Sequence, residues 1–445
     1  MLAGRAEETE LPDAVRKDLG QAGQTWLFGR GVMDMKCGIA LHMSLLEQAA
    51  YGDFEGNLLM LSVPDEEANS VGMRKAVPLL VKLAEEWGLD YRLALNSEPV
   101  FPRYPGDEGL YVYTGSIGKM LPGYLCYGQE THVGEPFSGF NANYMAAVLT
   151  AELEWSAELS EFGPGQSTPP PTNLLHRDMS PGYSAQVPHR AAVLFNLLQM
   201  ARPARETLML LKRAAYRAAS RMEEDFADRA QAYAEKSPFP IPQPRVNVFT
   251  YEELLALASE RHGEAAAAEA VNRRLAELRG GQQSPEQEPD GREATIAVAD
   301  ALAAMCKDLA PMIILFVAPP FYPAVASGEA PPVLTAVEQL TGYAREAFGL
   351  EMALEPYFRG ISDLSYIGSP QSADMINTLA PNMPLWGRGY EIPFADMSRL
   401  QMPVLNVGPV GRDAHKRTER LEADYAFNRL PLLLSVVIRT FLEKS

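Results

Sequence analysis

Cysteine is scarce in this chain: Cys37, Cys126 and Cys306 are the only three in 445 residues, and no two stand as Cys-x-x-Cys. A disulfide framework is excluded, and a reducing compartment is expected. Positive charge is also short. Fifty-seven acidic residues against 39 basic ones leave a net charge of −18, a field that repels phosphate backbones and argues against nucleic-acid partners. It suits metal cations and cationic substrates. A run of 18 apolar residues is not apparent, and the opening MLAGRAEETELPD is acidic where a signal peptide is basic and then apolar. A cytoplasmic protein without a membrane partner is expected. Gly-x-Ser-x-Gly is missing, and Gly115-Ser-Ile-Gly-Lys-Met has the wrong spacing for a phosphate loop. Serine hydrolases and nucleotide-binding enzymes lose their support.

What is present is ordinary globular material, 47% hydrophobic and 22% charged. The length is about three times the ~150 residues of a typical domain, so two domains or one domain with an insertion are expected. From Gly31, Gly and Asp run into apolar residues at helical spacing, Ile39, Leu41, Leu45 and Leu46. Residues 57–63 look like a buried strand, 72–87 a helix and 91–95 the next strand, stopping at Asn96-Ser-Glu-Pro. That is an α/β order, whose ligands collect at the carboxyl ends of the strands. After residue 105 the composition shifts: two strands over 110–133, then helices over 141–154, 203–235 and 253–278. Residues 279–292 read as a linker or flexible loop, and 311–317 as a strand that reopens the α/β pattern.

Chemistry concentrates at Asp34, at Asp65-Glu66-Glu67 after an apolar run, at Glu98, and at His415 in Gly411-Arg-Asp-Ala-His. Glu66 follows Asp34 by 32 residues (66 − 34), and Glu98 follows Glu66 by 32 (98 − 66). That is about one strand-helix unit each, so successive acids can stand at neighbouring strand ends. Carboxylates converging in one crevice repel each other unless a cation neutralises them, and Asp, Glu and His suit a divalent ion such as zinc. Taken singly, each acid is more often a helix cap or part of a solvated loop.

Phe28-Gly-Arg-Gly-Val-Met-Asp-Met-Lys-Cys-Gly resembles the Gly-Arg-Gly-x-x-Asp-Met-Lys-Gly-Gly signature of the di-zinc amidohydrolase superfamily of aminoacylases, succinyl-diaminopimelate desuccinylases and bacterial carboxypeptidases. Pro64-Asp-Glu-Glu resembles its glutamate pair, Ser97-Glu-Pro its next acidic ligand, and Gly408-Pro-x-Gly-x-x-x-His its closing histidine. Thr131-His-Val-Gly-Glu-Pro-Phe-Ser-Gly-Phe-Asn-Ala-Asn resembles a stretch of its inserted domain. Asn96-Ser-Glu-Pro-Val-Phe-Pro-Arg-Tyr-Pro-Gly-Asp and Tyr113-Thr-Gly-Ser-Ile-Gly-Lys look closest to the arginine-utilisation (RocB-like) branch. The resemblance spans the chain, with the motifs in order. It implies an α/β fold: a mixed-sheet zinc-hydrolase catalytic domain (1–111 and 246–445) with an inserted α+β lid or dimerisation domain (112–245), through which a homodimer could form. One or two Zn2+ ions are implied, with Co2+ or Mn2+ as substitutes. Asp34 would bridge two metals, Glu67 and His415 would complete one site, and Glu98 would serve the second. Glu66 would be the general base that takes a proton from water, and His132 would reach the oxyanion. Asn141, Ser362 and Asp363 would touch substrate, although a helix cap at Asn141 and a plain turn at 362–363 are equally consistent with the sequence.

One departure stands out. The superfamily draws a second-metal histidine from a His-x-Asp motif upstream of the bridging Asp, and no histidine precedes Asp34 here. Either the reading frame starts too far downstream or the sequence is truncated, with Met1 an internal residue, or the protein is truly shortened, with one metal or no activity. Two functions follow. One is a hydrolase of a C–N bond in a small amino-acid derivative; the other is a non-catalytic or single-metal relative that binds a small molecule. His42 reads as a packed helix residue, and His176, His189 and His262 as surface residues. The lid arginine that grips a substrate carboxylate in many relatives has no clear counterpart: Leu198 stands where it is sought, and Arg190 or Arg202 could substitute. A cationic guanidino or ureido substrate is compatible with its absence.

Overall fold

The computed structural model describes residues 11–21, 25–104, 106–163, 165–280, 289–368 and 373–442. They fall into two units. The first lies within Met1–Ile117, Pro323–Pro370 and Ala395–Ser445, the second within Gly118–Tyr322 and Gln371–Phe394. This division corrects the expected one at 112–245, because residues 246–322 belong with the inserted part. The reason is the strand Met312–Tyr322, buried along its whole length. It pairs antiparallel with Gly118–Tyr127, from Met312↔Tyr127 to Ala318↔Leu121, and Asn247–Thr250 adds in parallel at its other edge. A continuous apolar run reads alike in any central strand, so its sequence could not say which sheet it joins.

The first unit is built on a four-stranded mixed sheet in the order Met352–Glu355, Leu110–Tyr113, Val404–Asn406, Ala94–Asn96. The outer pairs run parallel and the central pair meets antiparallel at Asn406↔Tyr113. The helices Cys37–Ala50, Pro331–Phe348 and Leu430–Leu442 pack Leu41, Leu45, Leu340, Leu433 and Val437 into one core with Val112 and Leu405 of the sheet. Tyr425–Leu442 is an 18-residue helical stretch of mean hydropathy 1.2. By length and composition alone it could cross a membrane, yet Leu433, Leu434 and Val437 are buried in this core.

Residues 57–63 correct a second expectation. They form no strand, Leu59 and Leu61 stand exposed, and no backbone–backbone hydrogen bond joins them to other described residues. The helix expected at 72–87 is present as Val71–Trp87, and the strand expected at 91–95 is confined to Ala94–Asn96.

In the second unit the five-stranded sheet runs Asn247–Thr250, Met312–Tyr322, Gly118–Tyr127, Arg190–Gln199, Thr172–Asp178. The helices Ala142–Leu153 and Ala204–Ala234 match their expected spans. The helix expected over 253–278 is two, Tyr251–His262 and Glu264–Gly280, because Gly263 takes φ 90° between them. Of the expected linker 279–292, residues 281–288 lie outside the described residues. Arg279 and Gly280 end one helix, and Asp290 caps the next by accepting from the amides of Arg292 and Glu293.

Candidate metal centre

All the chemistry-bearing acids of the sequence lie in the first unit. The strand Trp26–Phe28 pairs antiparallel with Arg420–Glu422, which brings the Asp34 loop beside the His415 loop. Gly31 turns the chain at φ 72°, a left-handed conformation that glycine adopts without cost. Beyond it the amides of Gly31, Met33 and Asp34 donate to the carboxylate of Glu419 at 2.8, 3.0 and 3.2 Å. On the facing loop, Asp413 and His415 hold positive φ values of 60° and 64°. Non-glycine residues sit there at a cost that the surroundings must cover. Here the cover is Arg420, almost fully buried, whose guanidinium binds Asp413 at 2.6 Å and Asp18 at 2.7 Å.

These two loops place Nε2 of His415 2.8 Å from Oδ2 of Asp34. Oε1 of Glu67 comes within 3.0 Å of the same nitrogen. Glu67 gets there from a tight turn: Asp65, at φ 74°, accepts at its carbonyl from the amides of Ala68, Asn69 and Ser70. The donor atoms of Asp34, Glu67 and His415 all lie within 4.8 Å of one another. Glu67 and His415 face solvent while Asp34 is mostly enclosed. One imidazole and two carboxylates with an open side is a donor set for a catalytic divalent ion. Neighbouring ligands on a tetrahedral zinc with ~2.1 Å bonds are about 3.4 Å apart, so the two contacts to His415 need open by only about half an ångström. The residues fit the ion.

Glu98 stands apart from that trio, at 7% exposure. Its backbone is clamped at the end of Ala94–Asn96: its amide donates to Oδ1 of Asn406 at 2.7 Å, and Nδ2 of Asn406 donates to its carbonyl at 3.1 Å. Burial pushes the Glu98 carboxyl well above its ordinary range, and the charges of Glu66, Asp34 and Asp363 push the same way against a hydrogen bond from Asn96. Burial likewise raises Asp363 to about 6, with a Ser70 hydrogen bond opposing and the Asp65 charge adding. One Asp363 oxygen is buried without a hydrogen-bond partner. Crowded carboxylates in a desolvated pocket favour either a proton or a cation.

The other nominated residues are placed as follows. Ser362 is completely buried, and its Oγ accepts from Nδ2 of Asn96 at 3.2 Å and from the Leu364 amide. It organises the turn. Asn141 is the N-cap of Ala142–Leu153, its Oδ1 accepting from the amides of Asn143 and Tyr144. His132 lies in the second unit, exposed, with Nδ1 accepting from the Gly134 amide at 3.0 Å; in the neutral ring that leaves Nε2 carrying the proton. His42 is half-buried, which lowers its pKa, and lies 2.9 Å from Oγ of Ser97, as a packed helix residue should. Arg190 binds Asp300 at 2.9 Å, and Arg202 donates to the carbonyls of Leu159 and Ser160. Both guanidinia are engaged within the chain. Glu419, Asn406 and Arg420 were not anticipated. Glu419 and Arg420 sit in His-Lys-Arg-Thr-Glu-Arg, a run that looks like solvated charge.

The sequence matches the profile of peptidase family M20/M25/M40 over residues 7–385. The chain belongs to that family. It is 42% identical over 446 aligned residues to YqjN of Bacillus subtilis (strain 168), covering all of this chain and 79% of YqjN. To Protein RocB of the same organism it is 28% identical, over 96% of this chain and 74% of RocB. Among solved structures it is similar to the dipeptidase Dug1p of Saccharomyces cerevisiae, at 10% identity and a TM-score of 0.48 over 95% of this chain and 74% of that one. As an M20 member the chain is a hydrolase with a mixed α/β fold, and the RocB-like branch expected from its motifs holds.

Proposed function

We propose that this M20 hydrolase uses a divalent metal to cleave a C–N bond, an amide or a related linkage, in a small amino-acid derivative. The observation that carries the reading is His415 within 2.8 and 3.0 Å of Asp34 and Glu67. Those three residues would hold one ion, zinc first among candidates, and Glu98 with Asp34 would serve a second. When bound, the metal acidifies a water and polarises the carbonyl under attack. Glu66 would take a proton from the attacking water and return it to the leaving nitrogen. Its carboxylate is close enough to Glu98 to raise that residue's pKa, while Glu67, its neighbour in the turn, reaches His415. His132 is the proposed oxyanion donor; its Nδ1 contact selects the tautomer with a proton on Nε2.

The similarity to RocB supports a role in arginine catabolism, with a guanidino or ureido compound as substrate. The internal engagement of Arg190 and Arg202 and the acidic lining of Glu66, Glu98 and Asp363 favour a cationic substrate over one held by its carboxylate. A panel of N-acyl, ureido and guanidino amino acids, each tried with Zn2+, Co2+ and Mn2+, tests this. Release of the amine that a chelator stops and added metal restores is expected. Metal binding with no turnover on any member would favour the second reading, a single-metal binding protein. That reading draws on Glu98 standing outside the three-donor group.

A further inference from the structure

Glu419 is completely buried, yet its carboxylate accepts four hydrogen bonds. Oε2 takes the Gly31 amide at 2.8 Å and the Arg30 guanidinium at 2.6 Å, and Oε1 takes the amides of Met33 and Asp34 at 3.0 and 3.2 Å. Its carbonyl accepts from the Gly29 amide at 3.1 Å, and its own amide donates to Lys416 within the His415 loop. One residue thus fastens the Asp34 loop to the loop that carries His415, four positions upstream. We infer that Glu419 is a positioning residue that sets the distance between Asp34 and His415 and thereby the affinity for metal. This rests on the reading of Asp34 as a ligand.

The physical reason is that a buried charge must be met by donors, and these donors are the backbone of the Asp34 loop itself. The carboxylate requires the loop to keep its amides converged, and the converged loop points Asp34 at His415. Partners that orient metal ligands in this way commonly change affinity about 10- to 100-fold when removed. The second unit supplies a matched control. Glu161 is likewise buried, and its carboxylate accepts from the amides of Met200, Ala201 and Arg202 at 3.0, 2.8 and 2.8 Å. It does the same structural task with no metal-ligand candidate in the loop it holds.

The test is Co2+ binding to the metal-free full chain, followed by visible absorption, together with the melting temperature of each metal-free protein. Glu419→Gln and Glu161→Gln should both melt earlier, since each turns an acceptor into a donor facing donors. Only Glu419→Gln should weaken Co2+ binding, by about 10- to 100-fold, and alter the absorption band. Equal affinity in the two variants would overturn the inference, leaving Glu419 merely structural. If Glu419→Gln does not fold, Arg30→Met removes one half-exposed donor and leaves the amides in place. It should weaken Co2+ binding to a smaller degree, and an unchanged affinity there would count against the inference equally. Failure of the underlying reading looks different: the unaltered chain would bind no Co2+, or Asp34→Asn would bind it as well as the unaltered chain.

Discussion

At the residue scale, Asp363 and Glu98 make the site's electrostatics measurable without substrate. Both carboxyls titrate higher in the folded protein than in the unfolded chain. The folded state therefore binds more protons between the two values, and stability falls as pH rises through that window. For Asp363 the window runs from the ordinary value of about 4 to about 6. Its ionisation then costs at most about 3 kcal/mol at neutral pH. Asp363→Asn should stabilise the metal-free protein at pH 7, and the gain should vanish near pH 4. Thermal melts of both proteins across that range decide it; a difference independent of pH would contradict the assignment. That Asp34, Glu67 and His415 belong together was readable from short motifs, and the structure brings their donor atoms within 4.8 Å of one another. Glu419 was not readable. A buried carboxylate and an exposed one have the same letter, and only the fold shows which amides it meets.

At the element scale, the end of Ala94–Asn96 is built so closely that a single carbon matters. A Cβ on Gly408 would fall 1.7 Å from the Glu98 carbonyl oxygen, so the two chains can approach only with glycine there. Gly408→Ala should cost at least about 2 kcal/mol in denaturant unfolding, and a neutral effect would mean the clamp on Glu98 is looser than described. The segment 57–63 makes the opposite point. Its apolar run predicts a strand, but a strand needs a neighbour, and no described residue offers one. Its amides should exchange hydrogen at close to unprotected rates while those of Ala94–Asn96 stay protected; slow exchange at 57–63 would show an unrecognised partner. The helices at Val71–Trp87, Ala142–Leu153 and Ala204–Ala234 were legible, because their 3.6-residue period is local. Strand partnership was not, since the run at 311–317 carries no mark of the sheet it enters.

At the scale of the whole molecule, every proposed metal ligand belongs to the first unit, assembled from three stretches of sequence. Metal should therefore change that unit first. Hydrogen exchange with and without Zn2+ is expected to show new protection at 29–36, 65–70 and 413–419. Protection confined to the second unit would place the ion elsewhere. The net charge of −18 adds a general attraction for cations that salt screens, so specific binding is the part that survives at ~0.15 M ionic strength.

The central claim is a division of labour between two adjacent glutamates, and one paired measurement reaches it: zinc content and amide hydrolysis of Glu66→Gln and Glu67→Gln beside the unaltered protein. Glu67 lies in contact with His415 as a proposed ligand, so its replacement should lower bound zinc and activity together. Glu66→Gln keeps size and polarity but cannot accept water's proton, so zinc should stay and turnover should fall about 10²–10⁴-fold. Retained turnover in Glu66→Gln, or a loss of zinc equal to that of Glu67→Gln, would contradict the account.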